Sequence, residues 1–195
     1  MNERPSTTAV VITGTPGTGK TSVSKLLAGQ IGARYLSLNR VVSRKGLQGG
    51  IDQRRHTRIV NLKRTRMFFR RALLNDRGIT VADTHIADAL PREYVGRVIV
   101  LRCHPRILEM RLRRKKWRGS KVRENVLAEI LDSCYATAVD YYGPKKVAQI
   151  DTSKLKPSRC VSQAKRILVK QPGQTKRVDW IRVLYREGVL GKYLR

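Results

Sequence analysis

Apolar runs alternate with helically spaced apolar positions along most of the chain. Ala9–Thr13 is a continuous apolar stretch, the pattern of a buried strand. Val23, Leu26, Leu27 and Ile31 then recur with helical spacing, which predicts a helix over Thr21–Ile31. Ile79–Ala82 reads as a second short strand after the turn signal Asn75–Gly78, and Arg97–Leu101 as a third, bounded by Gly96. Ile107, Leu108 and Leu112 share one face of a helix over Pro105–Arg114. The longest predicted helix is Glu124–Tyr142, carried by Val126, Ile130, Leu131, Cys134 and Ala138. Val147–Ile150 is a last strand and Ser158–Val169 a last helix of the domain. A stretch with linker character, Lys170–Lys176, holds Pro172 and Gly173 and sets off a tail, Val178–Leu194. The tail spreads Trp180, Ile181, Leu184, Val189 and Leu190 among charges. It is expected as a helix packed back on the domain; a helix kept for a partner is the sharper alternative.

Strands alternating with helices predict an α/β fold with a mainly parallel sheet and helices on both faces. A chain of 195 residues suits one domain, here 1–170, followed by a linker and helical tail, 171–195. No window approaches the roughly 20 apolar residues of a membrane span. Met1–Thr8 is polar and carries no secretory signal. Cys103, Cys134 and Cys160 are odd in number and widely spaced, which argues against a disulfide framework or a zinc site and for a reducing cytoplasm.

Gly14-Thr15-Pro16-Gly17-Thr18-Gly19-Lys20-Thr21 fits the phosphate-loop pattern GxxxxGK[ST], between a strand and an amphipathic helix. The glycines let successive N–H groups turn toward one anion, and the helix beginning near Lys20 aims its N-terminal dipole at it. Gly17, Thr18, Gly19, Lys20, Thr21 and Ser22 are the candidate ATP-binding residues. Lys20 is expected on the β- and γ-phosphates and the Thr21 hydroxyl on Mg²⁺. Asp83, ending the strand Ile79–Ala82, is the carboxylate a Mg²⁺–ATP site needs on its far side, acting through water; the alternative is a cap or turn residue. His85 follows by two residues and shares Asp83's side if the strand continues. It could orient water or a phosphate oxygen, or be a structural histidine.

With Asp83-Thr84-His85 in place, the sequence resembles the small adenylate kinase family shared by archaea and eukaryotic nuclei. The resemblance also rests on Val98–Arg102 leading to Leu108, Arg111 and Leu112, and on Lys121–Val126 continuing through Asp132. It spans about residues 9–155. It implies a P-loop kinase domain with a nucleoside-monophosphate-binding insert near 34–57 and a short lid near 114–124. It implies ATP and AMP, or other nucleoside monophosphates, as substrates, Mg²⁺ as cofactor, and some ATPase activity. It also implies a part in maturation of the small ribosomal subunit, through transient binding to a ribosomal protein of its platform. Lys20, Asp83, His85 and Arg111 are the catalytic candidates, with Lys115 a lid cation on ATP and Thr21 and Asp83 the metal residues.

The family's frequent Gly-Asp pair after the second strand is Asn39-Arg40 here. An arginine common in the family's lid falls on Lys115, beside Arg114. A lysine is a point charge and cannot fork two oxygens as arginine does; these cations could equally form a solvated face. Asp151-Thr152-Ser153 is expected beside the adenine, or as the cap of the next helix.

Charge adds a second theme. Lys and Arg number 42 against 14 Asp and Glu, a formal net charge of +28. Arg34–Arg71 alone holds twelve Lys/Arg against one acid, Asp52, a net of +11. Such a chain favours polyanions, and rRNA or a pre-ribosomal subunit is the expected partner; a composition bias across the whole proteome is the other reading. A basic ribosomal protein would need local acids, for which Glu124, Glu129 and Asp132 are candidates.

Overall fold

The computed structural model describes residues 7–53, 57–74, 77–169 and 177–194. Five parallel strands form the central sheet: β1 (Thr7–Thr13), β2 (Arg34–Ser37), β5 (Gly78–Asp83), β6 (Val95–Arg102) and β7 (Val147–Asp151), in the order β2-β5-β1-β6-β7. The sheet strands lie in register, with Ile12 opposite Asp83 on one side and Ile99 on the other. That register brings the end of β1, where the glycine loop starts, level with the end of β5, where Asp83 sits.

Alternate residues of each central strand feed two different cores. Val10, Ile12, Val81, Ile99, Leu101 and Ile150 pack with α1 (Lys20–Gln30) and α7 (Pro157–Val169) on one face. Val11, Ala82, Val98 and Val100 pack on the other, with Phe69 and Leu73 of α3 (Leu62–Leu74) and Ala138 of α6 (Ser133–Tyr142). The near-continuous apolar runs of β1 and β6 are thus those of strands covered on both faces.

Arg34–Ser37 opens the arginine-rich stretch as the edge strand of this sheet, paired with β5. It leads into α2 (Leu38–Arg44) and an antiparallel hairpin of β3 (Gln48–Asp52) and β4 (Thr57–Val60). Residues 54–56 of the expected insert, residues 75–76 of the turn signal, and the linker 170–176 lie outside the described residues.

The single long helix expected over Glu124–Tyr142 is two helices. α5 (Gly119–Ile130) ends at Leu131, and α6 starts after Asp132, whose φ of 56° is left-handed. Aspartate tolerates that conformation better than most residues. The Asp132 carboxylate is also held by the guanidinium of buried Arg102, which fixes the break in place. The stretch 114–124 comprises the last residue of α4 (Pro105–Arg114), the turn Lys115–Arg118 and the start of α5.

The tail packs back on the domain, as its apolar spacing predicts. α8 (Trp180–Arg186) buries Trp180 and Leu184, the latter in a third cluster with Leu108 and Leu112 of α4 and Val122 and Val126 of α5. A short α9 (Leu190–Tyr193) follows. Among the described residues no helix is long and apolar enough to cross a membrane.

Candidate active site

The glycine loop is forced into shape by its neighbours. Gly14 has φ +137°, and a Cβ there would lie 2.3 Å from the backbone oxygen of Leu101. Gly17 has φ +95°, and its Cβ would meet Leu108 Cδ1 at 2.9 Å and Leu112 Cδ2 at 3.0 Å. The loop therefore lies against β6 at Gly14 and against α4 at Gly17, with no room for a side chain at either position. The Thr15 carbonyl gathers it inward, accepting from the Thr18 N–H at 3.2 Å and the Thr18 hydroxyl at 2.9 Å.

Lys20 begins α1 with only 8% of its surface exposed. Its ammonium donates to the carbonyls of Gly14 at 2.8 Å and Thr15 at 3.1 Å. Burial pushes its pKa below the ordinary lysine value, while the nearby carboxylates Asp83 and Glu129 oppose that shift. Thr21, next on the helix, donates its hydroxyl to Asp83 Oδ2 at 2.7 Å. Tyr35 of β2 donates to the same oxygen at 3.2 Å. Asp83 Oδ1 is buried with no hydrogen-bond partner. A buried carboxylate oxygen left bare beside a threonine hydroxyl is a hard anionic ligand of the type Mg²⁺ takes, so Thr21 and Asp83 fit that ion.

β5 stops at Asp83, so His85 is not on a continued strand but in the loop beyond it. Its ring is solvent-exposed, yet partial desolvation, then the positive charge of Lys20, lowers its pKa below the usual histidine value, against the pull of Asp83. The charge of Lys121 also reaches it. Lys115 caps α4, exposed to solvent, and its charge is felt at Lys20. Lys20, Thr21, Asp83, His85 and Lys115 thus surround one region at the mouth of the loop.

Arg111 is held elsewhere. Its guanidinium donates to the carbonyls of Thr152 at 2.9 Å and Ser153 at 3.3 Å. It lines a cavity of about 180 Å³ beside the loop with Gly17, Gly19, Ser22, Thr152 and Leu155. Thr152 ties this wall to the loop by donating to the Thr18 carbonyl at 3.0 Å. Asp151 accepts from the Ser153 N–H at 2.9 Å and closes a local turn. The next helix starts only at Pro157, so Asp151 does not cap it.

Two participants carried no sequence signal as site residues. Tyr35 sits in a short, half-polar strand. Glu129, a surface acid by its place in the charge pattern, is 2% exposed. Its Oε2 accepts from the Thr15 hydroxyl at 2.5 Å; its Oε1 accepts from Arg102 Nε at 2.8 Å, the Cys103 N–H at 3.1 Å and Trp180 Nε1 at 2.9 Å. Asp132 is likewise engaged by Arg102, and Glu124 pairs with Lys121 at 2.9 Å. Neither Glu129 nor Asp132 offers a free acidic surface to a basic partner.

Fold and loop together define a phosphate-loop kinase. Residues 10–132 match the model of a family described as "AAA domain". A Pyrococcus abyssi protein named "Putative adenylate kinase" is 36% identical over 154 residues, 79% of this chain and 80% of the relative. One of the same name from Thermococcus gammatolerans is 33% identical over 177 residues, 89% and 93% of the two chains. The chain belongs to the family of these archaeal relatives, which are named "Putative adenylate kinase". In structure it is similar to a shikimate kinase from Acinetobacter baumannii (TM-score 0.56, 17% identity, 85% and 94% of the two chains). It is also similar to a gluconokinase from Sinorhizobium meliloti (TM-score 0.52, 17% identity, 85% and 93%). At that identity the likeness shows the fold, an α/β P-loop kinase.

Proposed function

We propose that the protein is an adenylate kinase that moves the γ-phosphoryl group of ATP reversibly to AMP. The P–O bond between the β- and γ-phosphates breaks and one to an oxygen of the AMP phosphate forms, leaving two ADP. The observation that carries the reading is the bond from Thr21, the residue after Lys20, to a buried, half-bare Asp83 at the mouth of the glycine loop. The names of the relatives favour AMP as acceptor.

In this reading the loop N–H groups and Lys20 hold the β- and γ-phosphates. The charge of Lys20 then meets the charge spreading over the moving phosphoryl group. Thr21 and Asp83 hold Mg²⁺, which supplies neutralisation of phosphate charge. His85 and Lys115 face the transferring group from the rim. The cavity beside Arg111, Thr152 and Leu155 takes the adenosine of ATP, so that Arg111 acts on the nucleoside side. The α2 and β3–β4 region is the acceptor insert, and the turn Lys115–Arg118 with the start of α5 is the lid. A lid this short excludes water poorly, which supports a side reaction of ATP hydrolysis.

The net charge of +28 supports a second role, as an ATP-driven factor on the small ribosomal subunit, with RNA supplying the anionic contact. An acceptor screen tests the main reading: AMP should be phosphorylated far faster than CMP, UMP or GMP. No transfer to any nucleoside monophosphate would refute it.

A further inference from the structure

Glu129 joins three parts of the molecule that are distant in sequence. One oxygen takes the hydroxyl of Thr15, inside the phosphate loop, and the other takes the indole N–H of Trp180, the first residue of α8. All three side chains are buried, Thr15 at 2%, Glu129 at 2% and Trp180 at 4% exposure. The carboxylate is locked by Arg102, which also donates to the Glu129 carbonyl at 2.9 Å and to Gln149 at 2.9 Å. Burial opposes charge on Arg102, but Glu129 and Asp132 outweigh it and raise its pKa, so the guanidinium stays charged. On the loop side, the Thr15 carbonyl carries the bonds from Thr18 and Lys20. A shift of Thr15 therefore moves the groups that meet phosphate.

We infer that α8 is a positioning element of the nucleotide site, acting through Trp180, Glu129 and Thr15. Docking of the tail holds the loop in its binding shape, and bound nucleotide in turn holds the tail down, since coupling between sites is reciprocal. Thr15, Glu129 and Trp180 are positioning residues; the loop N–H groups and Lys20 make the contacts. The inference rests on the reading of the loop as a nucleotide site.

The test is a double-mutant cycle on the full chain, with ADP binding read by calorimetry. Trp180→Phe keeps an aromatic ring but removes the donor together with the pyrrole half of the indole; Thr15→Val removes the other end with its shape kept. Each should weaken ADP binding about fivefold or more, the low end of ordinary coupling. The double variant should bind no worse than Thr15→Val alone, within about twofold, because both cut one connection. Fold-changes that multiply, or a Trp180→Phe affinity within twofold of the parent, would overturn the inference while leaving the nucleotide site intact. The parent protein gives an independent arm that needs no variant to fold. Saturating ADP should slow hydrogen exchange at the Trp180 indole N–H, and an unchanged rate would overturn the coupling. If the parent bound no ADP, the nucleotide reading itself would fall, and the inference with it.

Discussion

Alanine at Gly14 and at Gly17 should fail for different physical reasons and by different amounts. At Gly17 the new methyl meets the ends of two leucine side chains, Leu108 and Leu112, at 2.9 and 3.0 Å. Those tips can turn, at an overpacking cost of about 1–3 kcal/mol. The left-handed backbone adds roughly 1–2 kcal/mol for any residue with a Cβ. Together these give a loss of about 2–5 kcal/mol. At Gly14 the methyl lies 2.3 Å from the carbonyl oxygen of Leu101. That oxygen belongs to β6, which is hydrogen-bonded between β1 and β7 and buried on both faces, so it cannot retreat alone. The whole loop or strand must move, and the loss should exceed about 4–5 kcal/mol, the range reached only by exceptional substitutions. A domain holding about 5–15 kcal/mol in all could barely fold after that loss. Thermal unfolding followed by the fluorescence of buried Trp180 reads both variants. Gly17→Ala should lower the melting temperature by about 4–20 °C, at roughly 2–4 °C per kcal/mol for a chain of this size. Gly14→Ala should yield little or no folded protein. The reasoning is refuted if Gly14→Ala is the milder change, or if it costs less than about 1 kcal/mol.

Three further outcomes follow from the same geometry. Lys20→Met should reduce phosphoryl transfer at least ~100–1,000-fold, the scale of losing one electrostatic stabiliser, with far-UV circular dichroism unchanged; near-parent turnover would dismiss the loop's role. Thiol titration of the native protein at pH 8 should find no more than one rapidly reacting cysteine, Cys134. Cys103 and Cys160 are buried, and burial pushes the Cys103 thiol up to about 11, so rapid reaction of all three would contradict the packing. If the charge of +28 serves RNA, binding of ribosomal RNA should weaken steeply with salt, by a slope of about −0.7 to −0.9 per phosphate neutralised; a flat response would leave the basicity without an RNA partner.

What the sequence discloses is what is local. The glycine loop is a contiguous run between a buried strand and a helix, so its position, and Lys20 and Thr21 within it, are legible in the order of residues alone. Asp83 is readable because it ends an apolar run, although its bond to Thr21 spans 62 residues. The break at Asp132 is not readable from periodicity, since apolar spacing continues across it. At the break the Asp132 carboxylate is held by the buried guanidinium of Arg102, 30 residues away. Glu129 resembles any exposed acid on a charged helix until Arg102, Trp180 and Thr15 are brought around it. β2 and the β3–β4 hairpin are missed because they are short and half-polar, and their pairing comes from β5 and from each other. The side chain of Arg111 shares a helix with apolar Leu108 and Leu112, but only the fold turns it toward the carbonyls of Thr152 and Ser153.

Phosphoryl transfer between nucleotides fixes the stoichiometry of the products. The purified protein is given ATP, Mg²⁺ and AMP, and ADP and inorganic phosphate are quantified together. Transfer to AMP predicts two ADP formed for each ATP consumed, with phosphate release a minor fraction and the fast ADP production lost when AMP is omitted. One ADP and one phosphate per ATP, at a rate that AMP does not change, would contradict the account and leave an ATPase in its place.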